Sequence, residues 1–539
     1  MSGKPKNKGK SKPDQALVSS PENQKSMQGL LSILALVFIF ITSISRIVLA
    51  GNPMSRDEGT YGYLGSLAAK GQTPYLDFYE MKPPMLFYLY GLGGSLFGFT
   101  DLGLRFFGLL LNLCSSLLVF LILRKYISKH FALVAAAFFS LLSLNPFAFG
   151  FAMVAEHLIN TLVLVSLYLV HKSNDRKGFL YVLLAGTTFA TAILTKQTAI
   201  LFSPVFLLCF ILARQQKPWL MQCIQFAAGV LIPVTLLAIV FAINGAFSEA
   251  MYWLTTYPAK YASIVTPEEG KIYLHYFSKN ISLFQFSLFI ASVLALFVNL
   301  IWIKKRPFNW LLTYFLIALL TVIPGFRFYG QYWLLIFPPM ALMTAAALYQ
   351  IEQLKPRLGL LSAALVMVLM AGEMVVHRDY YFGKPSSDEV DKLYKNNPFG
   401  PIRKLSTYAG SLMKEDETFM VFGSEPQAYL YADKVAPSRH IFMSMISKHD
   451  EKSKTFISEA MSDLEQKQPT FVLYNFFMYS WGMTEKSNDN LYSASFSYVI
   501  KHYTPVAAYN MNTKTFLYAQ DGNQIDGSIA NQVILFKLK

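Results

Sequence analysis

Between residues 29 and 376 the chain is a succession of long apolar stretches, and no fold that leaves them all in water is stable. Windows of about 19 residues, matched to a hydrocarbon core about 30 Å thick, pick out stretches near 29 to 50, 103 to 123, 131 to 149, 157 to 170, 179 to 195, 198 to 212, 219 to 243, 281 to 303, 310 to 323, 330 to 350 and 358 to 376. Of 539 residues 54% are hydrophobic and 15% charged, with a mean hydropathy of +0.37, whereas soluble chains carry about 25% charge. The expected fold is an α-helical polytopic membrane protein of about eleven transmembrane helices.

Charge sets the orientation. Lys4, Lys6, Lys8, Lys10, Lys12 and Lys25 precede the first stretch. Every second loop is basic: Arg124, Lys125 and Lys129; Lys172, Arg176 and Lys177; Arg214 and Lys217; Lys304, Lys305 and Arg306; Lys355 and Arg357. Basic loops stay in the cytoplasm, so loops 51 to 102, 150 to 156, 244 to 280 and 324 to 329 face outward, as does everything after about 377. The net charge of +15 is mostly this topological lysine and arginine, and it implies no nucleic-acid partner.

The stretch at 83 to 97 opens with Pro83-Pro84, is rich in glycine and is too short to cross; it suits an interfacial or re-entrant segment. The first stretch is too long for a signal-peptide core and reads as an anchor. Residues 1–28 are polar and lysine-rich, a disordered cytoplasmic tail. Residues 29–376 form the membrane domain. Residues 377–539 have the composition of a soluble extracytoplasmic α/β or α+β domain, with strands expected at 418 to 422, 469 to 474 and 515 to 518 and a helix over 454 to 466. Cys114, Cys209 and Cys223 fall in spans, which leaves the outer domain without a disulfide of its own. Internal repeats, a Walker loop, HExxH and CxxC are absent from the sequence.

The first outer loop concentrates charge at the membrane surface. Ser55-Arg56-Asp57-Glu58 has the form of a capping box opening a helix that stops near Gly71. On that reading Asp57 and Glu58 cap an interfacial helix and favour its dipole, and Glu58→Gln is mild because an amide still serves the box. The other reading makes Asp57 a general base for an incoming hydroxyl, since this loop holds no histidine. Glu80 and Lys82, Glu156 and His157, Lys196 in Leu194-Thr195-Lys196-Gln197, and Arg327 in the turn 324 to 330 add outward charges. Each is either a snorkelling anchor or part of a site for an anionic ligand flanked by acid and base groups.

Arg56-Asp57-Glu58-Gly59, Tyr79-Glu80-Met81-Lys82-Pro83-Pro84, Phe97-Gly98 with Leu104-Arg105, Ala155-Glu156-His157, Leu194-Thr195-Lys196-Gln197-Thr198 and Arg327-Phe328-Tyr329-Gly330 leading to Phe337-Pro338-Pro339 resemble, in this order and topology, the GT-C glycosyltransferases of the protein O-mannosyltransferase and lipid A aminoarabinose transferase kind. The resemblance covers about residues 29 to 376. It implies a GT-C-like catalytic domain in the cytoplasmic (inner) membrane that takes a sugar from a polyprenyl-phosphate carrier on the outer face and passes it to a glycan, lipid or protein acceptor. It implies that Asp57 is the catalytic carboxylate and Glu156 the second acid. Lys82, Lys196 and Arg327 would hold the carrier phosphate, and Glu58, Glu80 and Tyr329 would serve substrate binding. Met81 interrupts the Glu-Lys-Pro order of the aminoarabinose transferase pattern, which opens the role of Glu80.

The residue types suit that chemistry independently. One base opposite a phosphate leaving group implies inversion at the anomeric carbon, and preorganised cations stabilise the departing phosphate. No cofactor is implied and no metal ligand is assigned, although Asp57, Glu58 and Glu156 have oxygens suited to a divalent cation. The alternative of a lipid-linked-glycan flippase would place ionisable groups within the spans and show repeated or broken helices.

Overall fold

The computed structural model describes residues 21–173, 178–213, 218–301, 309–383, 394, 397–447, 451–482, 490–522, 524–525 and 532–539. Most of the basic tail, and Arg176, Lys177, Arg214, Lys217, Lys304, Lys305 and Arg306 in the basic loops, lie outside them.

Helices occupy each of the apolar stretches read from the sequence. Among the described residues five are long and apolar enough to cross a membrane singly: Glu22–Leu49, Asp101–Arg124, Trp219–Ile243, Gly330–Leu354 and Pro356–Val376. Others are apolar but shorter, including Lys129–Leu142, Gly178–Ile193 and Asn309–Leu320. The first helix, α1 (Pro21–Leu49), already includes residues ahead of the expected boundary at 29.

The stretch expected at 281 to 303 is not one straight helix. Pro267–Phe284 and Phe286–Ile301 meet at 99°, and buried Gln285 pins the break. Its Nε2 donates to the Leu141 carbonyl (2.8 Å) and to the Tyr381 hydroxyl (3.1 Å), and its Oε1 accepts from Asn145 (3.2 Å). The Asn145 side-chain amide also donates to the Ile281 carbonyl (2.9 Å), in the last turn before the break, where helical carbonyls lose their partners.

Outside the bundle, α2 (Arg56–Ala69) packs against α3 (Met85–Phe97). A Cβ at Gly65 would lie 2.8 Å from the Gly91 nitrogen, so the two backbones touch and only glycine fits. At 13 residues, α3 is shorter than a crossing. It ends at Gly98, whose φ of 95° suits glycine. Thr100 then caps α4 (Asp101–Arg124) by accepting from the Gly103 amide.

The chain after residue 397 forms a mixed sheet of five strands: β1 (Phe419–Phe422), β2 (Phe471–Asn475), β3 (Tyr503–Asn510), β4 (Thr515–Tyr518) and β5 (Gln532–Leu538). Its order is β1-β2-β5-β3-β4, with β1 and β2 parallel and the remaining pairs antiparallel. Helices between β1 and β2 include Glu451–Lys467, which contains the helix expected at 454 to 466. The sheet's core is continuous with the segments 51–102 and 244–280, because Leu64, Phe87, Trp253, Phe422 and Leu535 belong to one buried apolar cluster. A separate cluster fills the helical bundle.

Candidate active site

The site is built where α2 begins. Ser55 Oγ accepts from the Glu58 amide (3.4 Å) and Glu58 Oε2 accepts from the Ser55 amide (3.2 Å), the reciprocal bonds of a capping box. Two consecutive helical residues point in different directions, and Asp57 and Glu58 have different fates.

Glu58 turns inward and is wholly buried. Arg105 of α4 donates to it twice, from Nε to Oε1 (2.9 Å) and from Nη2 to Oε2 (2.8 Å), and the Met153 amide donates to Oε1 (2.9 Å). With the cap bond each oxygen accepts twice, which uses a carboxylate's ordinary capacity. Arg105 also donates to the carbonyls of Ala50, Asn52 and Pro53. Glu58 therefore fixes the end of the first span to α2 and α4. It has no lone pair left for substrate, and the expectation that an amide could replace it overlooks Arg105.

Asp57, half-buried, faces the turn that follows residue 324, where Gln331 Nε2 donates to its Oδ2 (3.1 Å). Buried Glu80 accepts from the Met81 amide (3.0 Å) and lies 3.9 Å from Lys82 Nζ. Burial holds the Glu80 carboxyl above its usual range; Lys82 opposes this, and the charge of Asp57 adds to it. The loop carrying both groups is tied down on each side. Tyr75 donates to the Lys82 carbonyl (2.7 Å), Gln197 Nε2 to the Met81 carbonyl (2.9 Å), and the Met85 amide to the Leu194 carbonyl (3.0 Å). Met81 thus supplies the carbonyl that docks this loop on the Lys196 segment.

Lys196 pairs with Glu156 at 2.5 Å, and its ammonium sits 3.7 Å from the centroid of the Tyr332 ring. Both are buried, so Glu156 neutralises Lys196. Tyr332 is within electrostatic reach of Lys82, Glu156 and Asp57. Tyr61 of α2 is likewise near Asp57, Glu80 and Glu156; burial and those three charges hold its phenol well above the ordinary value.

Arg327 sits in a strained turn where Gly325, Phe326 and Phe328 all have positive φ. Its Nη1 donates to the Tyr329 hydroxyl (3.1 Å), its guanidinium lies 3.8 Å from the Tyr261 ring centroid, and its buried Nε has no partner among the described residues. It has no carboxylate in salt-bridge range among those residues. Tyr329 meets Tyr332 with ring centroids 5.8 Å apart, which links this turn to the Glu156–Lys196 pair.

The structure thus groups Asp57, Glu80, Lys82, Glu156 and Lys196, with Arg327 and Tyr329 joined through Tyr332, and places Glu58 behind them. Among the described residues no group of three His, Cys, Asp or Glu side chains converges as a metal site. Sequence reasoning missed Gln331, Tyr332 and Tyr61. Gln331 directly follows the quoted Arg327-Phe328-Tyr329-Gly330, but only the fold brings it to Asp57.

An apolar helical bundle with a charged site where it meets loops and a sheet domain is the GT-C architecture. Residues 81–243 match the family model of dolichyl-phosphate-mannose-protein mannosyltransferases. The fold resembles the crystal structure of ArnT from Cupriavidus metallidurans bound to undecaprenyl phosphate, with 13% identity, a TM-score of 0.58, and 94% of this chain and 98% of that one covered. The apo form of the same protein aligns with a TM-score of 0.57 at 13% identity, over 93% of this chain and 97% of that one. An uncharacterized protein of Aquifex aeolicus is 33% identical over 153 residues, 28% of this chain and 30% of that relative's length. The chain has the GT-C fold of the protein O-mannosyltransferase and ArnT type.

Proposed function

We propose that this protein is a glycosyltransferase that moves a sugar from a polyprenyl-phosphate carrier to an acceptor hydroxyl at the outer face of the cytoplasmic membrane. The observation that carries this reading is the convergence of Asp57, held by Gln331, with Glu80 and Lys82 and with the Glu156–Lys196 pair, at the base of the outer loops. The ArnT structure that this fold resembles is bound to undecaprenyl phosphate, and the family matched by residues 81–243 is that of dolichyl-phosphate-mannose-protein mannosyltransferases; both support the donor class.

In this reading Asp57 accepts the proton of the acceptor hydroxyl as its oxygen attacks the anomeric carbon. The bond to the carrier phosphate breaks on the opposite face, with inversion. Lys82 and Arg327 receive the phosphate charge, because neither is neutralised as closely as Lys196 is by Glu156. Glu80 orients Lys82, and Tyr329 holds Arg327. The N-terminus and the basic loops lie in the cytoplasm, and the sheet domain lies outside over the site.

The test supplies purified protein with a polyprenyl-phosphate sugar, a nucleotide sugar and an acceptor extract. The lipid-linked donor should be used and the nucleotide sugar refused. Asp57→Asn should lower transfer by about 10² to 10⁴. Lys82→Ala or Arg327→Ala should weaken donor use by about 1.5 to 3 kcal/mol, the worth of a charge-assisted contact. Transfer from the nucleotide sugar, untouched by these changes, refutes the assignment.

A further inference from the structure

A cavity of about 830 Å³ opens between the C-terminal end of α2, the 70–78 loop and the sheet domain. None of the groups assigned above to proton or phosphate handling lines it. Its charged lining comprises Lys70, Arg439 and Lys467 against Asp77, Glu459 and Asp463, three of each sign, so it carries no net field to select an anion or a cation.

These groups are also only partly used. Glu459 accepts from Arg439 (2.8 Å) and His440 (2.7 Å) through Oε2 alone, Asp463 meets Lys467 through Oδ1 (2.8 Å), and Asp77 takes the Thr73 amide on Oδ2 (2.6 Å). The second oxygen of each has no protein partner among the described residues. Ser458 and Ser462, one turn apart on helix Glu451–Lys467, add hydroxyls to the same wall. A rim of free acceptors beside ammonium and hydroxyl donors, with charges that cancel, matches a neutral polyhydroxylated ligand. The volume falls within the usual range for ligand sites.

Part of the cavity's lining leads directly in sequence into the segment that carries Glu80 and Lys82. Leu76, Asp77 and Phe78 line the cavity. The next residue, Tyr79, is stacked on Trp253 (5.1 Å) beneath the Arg439 guanidinium (4.5 Å), and Glu80 and Lys82 follow directly.

We infer that this cavity binds a neutral oligosaccharide, the sugar chain of the acceptor, against the segment that carries Glu80 and Lys82. Its assignment to the acceptor rests on the transferase reading; binding itself does not.

The test uses full-length protein in nanodiscs and saturation-transfer NMR with a panel of neutral di- to hexasaccharides and phosphorylated counterparts. At least one neutral oligosaccharide should bind. Ser462→Trp and Ser458→Trp, which fill the cavity from a solvent-facing helix wall, should weaken it by about tenfold or more, while Asp57→Asn binds as wild type does. Failure of every neutral sugar, equal binding of the phosphorylated set, or unchanged affinity in both tryptophan variants overturns the proposal. Sugar binding without any transfer overturns the transferase reading, and with it the assignment to the acceptor, but leaves the cavity as a sugar site; transfer without sugar binding overturns the cavity proposal and leaves the transferase reading standing.

Discussion

Replacing Glu58 by glutamine separates the two roles that the first outer loop suggests. An amide preserves size and can still accept the cap bond, so a helix-capping role alone predicts a small effect. The structure predicts a large one. Whichever way the amide turns, its NH₂ faces either Arg105 Nε with the Met153 amide or Arg105 Nη2 with the Ser55 amide. Donor then meets donor, and Arg105, with 1% side-chain exposure, loses its counter-ion. Breaking one partner of a buried pair costs about 3 to 5 kcal/mol, a factor of about 10² to 5 × 10³ in the folding equilibrium. Heating purified protein in detergent and measuring the fraction that remains monodisperse reads the loss directly. Glu58→Gln/Arg105→Met should recover part of it, since the orphaned charge is gone. If Glu58→Gln melts with the wild type and the double variant does not differ from it, the buried pair is not what holds this loop.

Three further outcomes are expected. Gln331→Leu removes the only side-chain donor to Asp57 among the described residues; turnover should fall about five- to tenfold, the worth of one hydrogen bond of about 1 kcal/mol, with the KM for the lipid donor unchanged. Gly65→Val drives a side chain into the Gly91 backbone and should cost about 1 to 3 kcal/mol, whereas Gly29→Ala, with open space around it, should be silent in the same melting assay. Because burial raises the folded pKa of Glu80 above the ordinary 4.5, its contribution to stability is complete below that value and is lost as pH rises through the folded one. Glu80→Gln should flatten the fall in melting temperature across that interval, and an unchanged pH profile would refute the shift.

Local patterns were legible and distant pairings were not. Hydropathy located the helices because a span's apolar surface is written in consecutive residues. The Ser55–Glu58 box was readable because its partners are three residues apart. Strands β1, β2 and β4 stood out as short runs between polar segments. β3 did not, because Pro505, Ala507 and Ala508 dilute its strand character. β5 was also missed, although Val533 to Phe536 is an unbroken apolar run; it lies beside polar residues near the chain's end and pairs with strands far away in sequence. The site divides in the same way. Its carboxylates and cations were visible as charges out of place near a membrane. That Arg105 claims Glu58, Gln331 claims Asp57 and Glu156 claims Lys196 depends on contacts 47, 274 and 40 residues apart, and a single sequence offers no periodicity that reports them.

Arg56, the residue before Asp57, donates to the Ser424 carbonyl (2.8 Å) and pairs with buried Glu425 (2.7 Å), which Ser480 holds from the other side (2.6 Å). Gly59, one helical turn on, lies so close to Gln427 that a Cβ there would come within 2.2 Å of it. Anyone exchanging the sheet domain for that of another protein to alter specificity would carry away half of the mount on which Asp57 sits. A working chimera must keep Glu425, Ser480 and a residue shaped like Gln427, or be cut so that both halves of this joint come from the same parent.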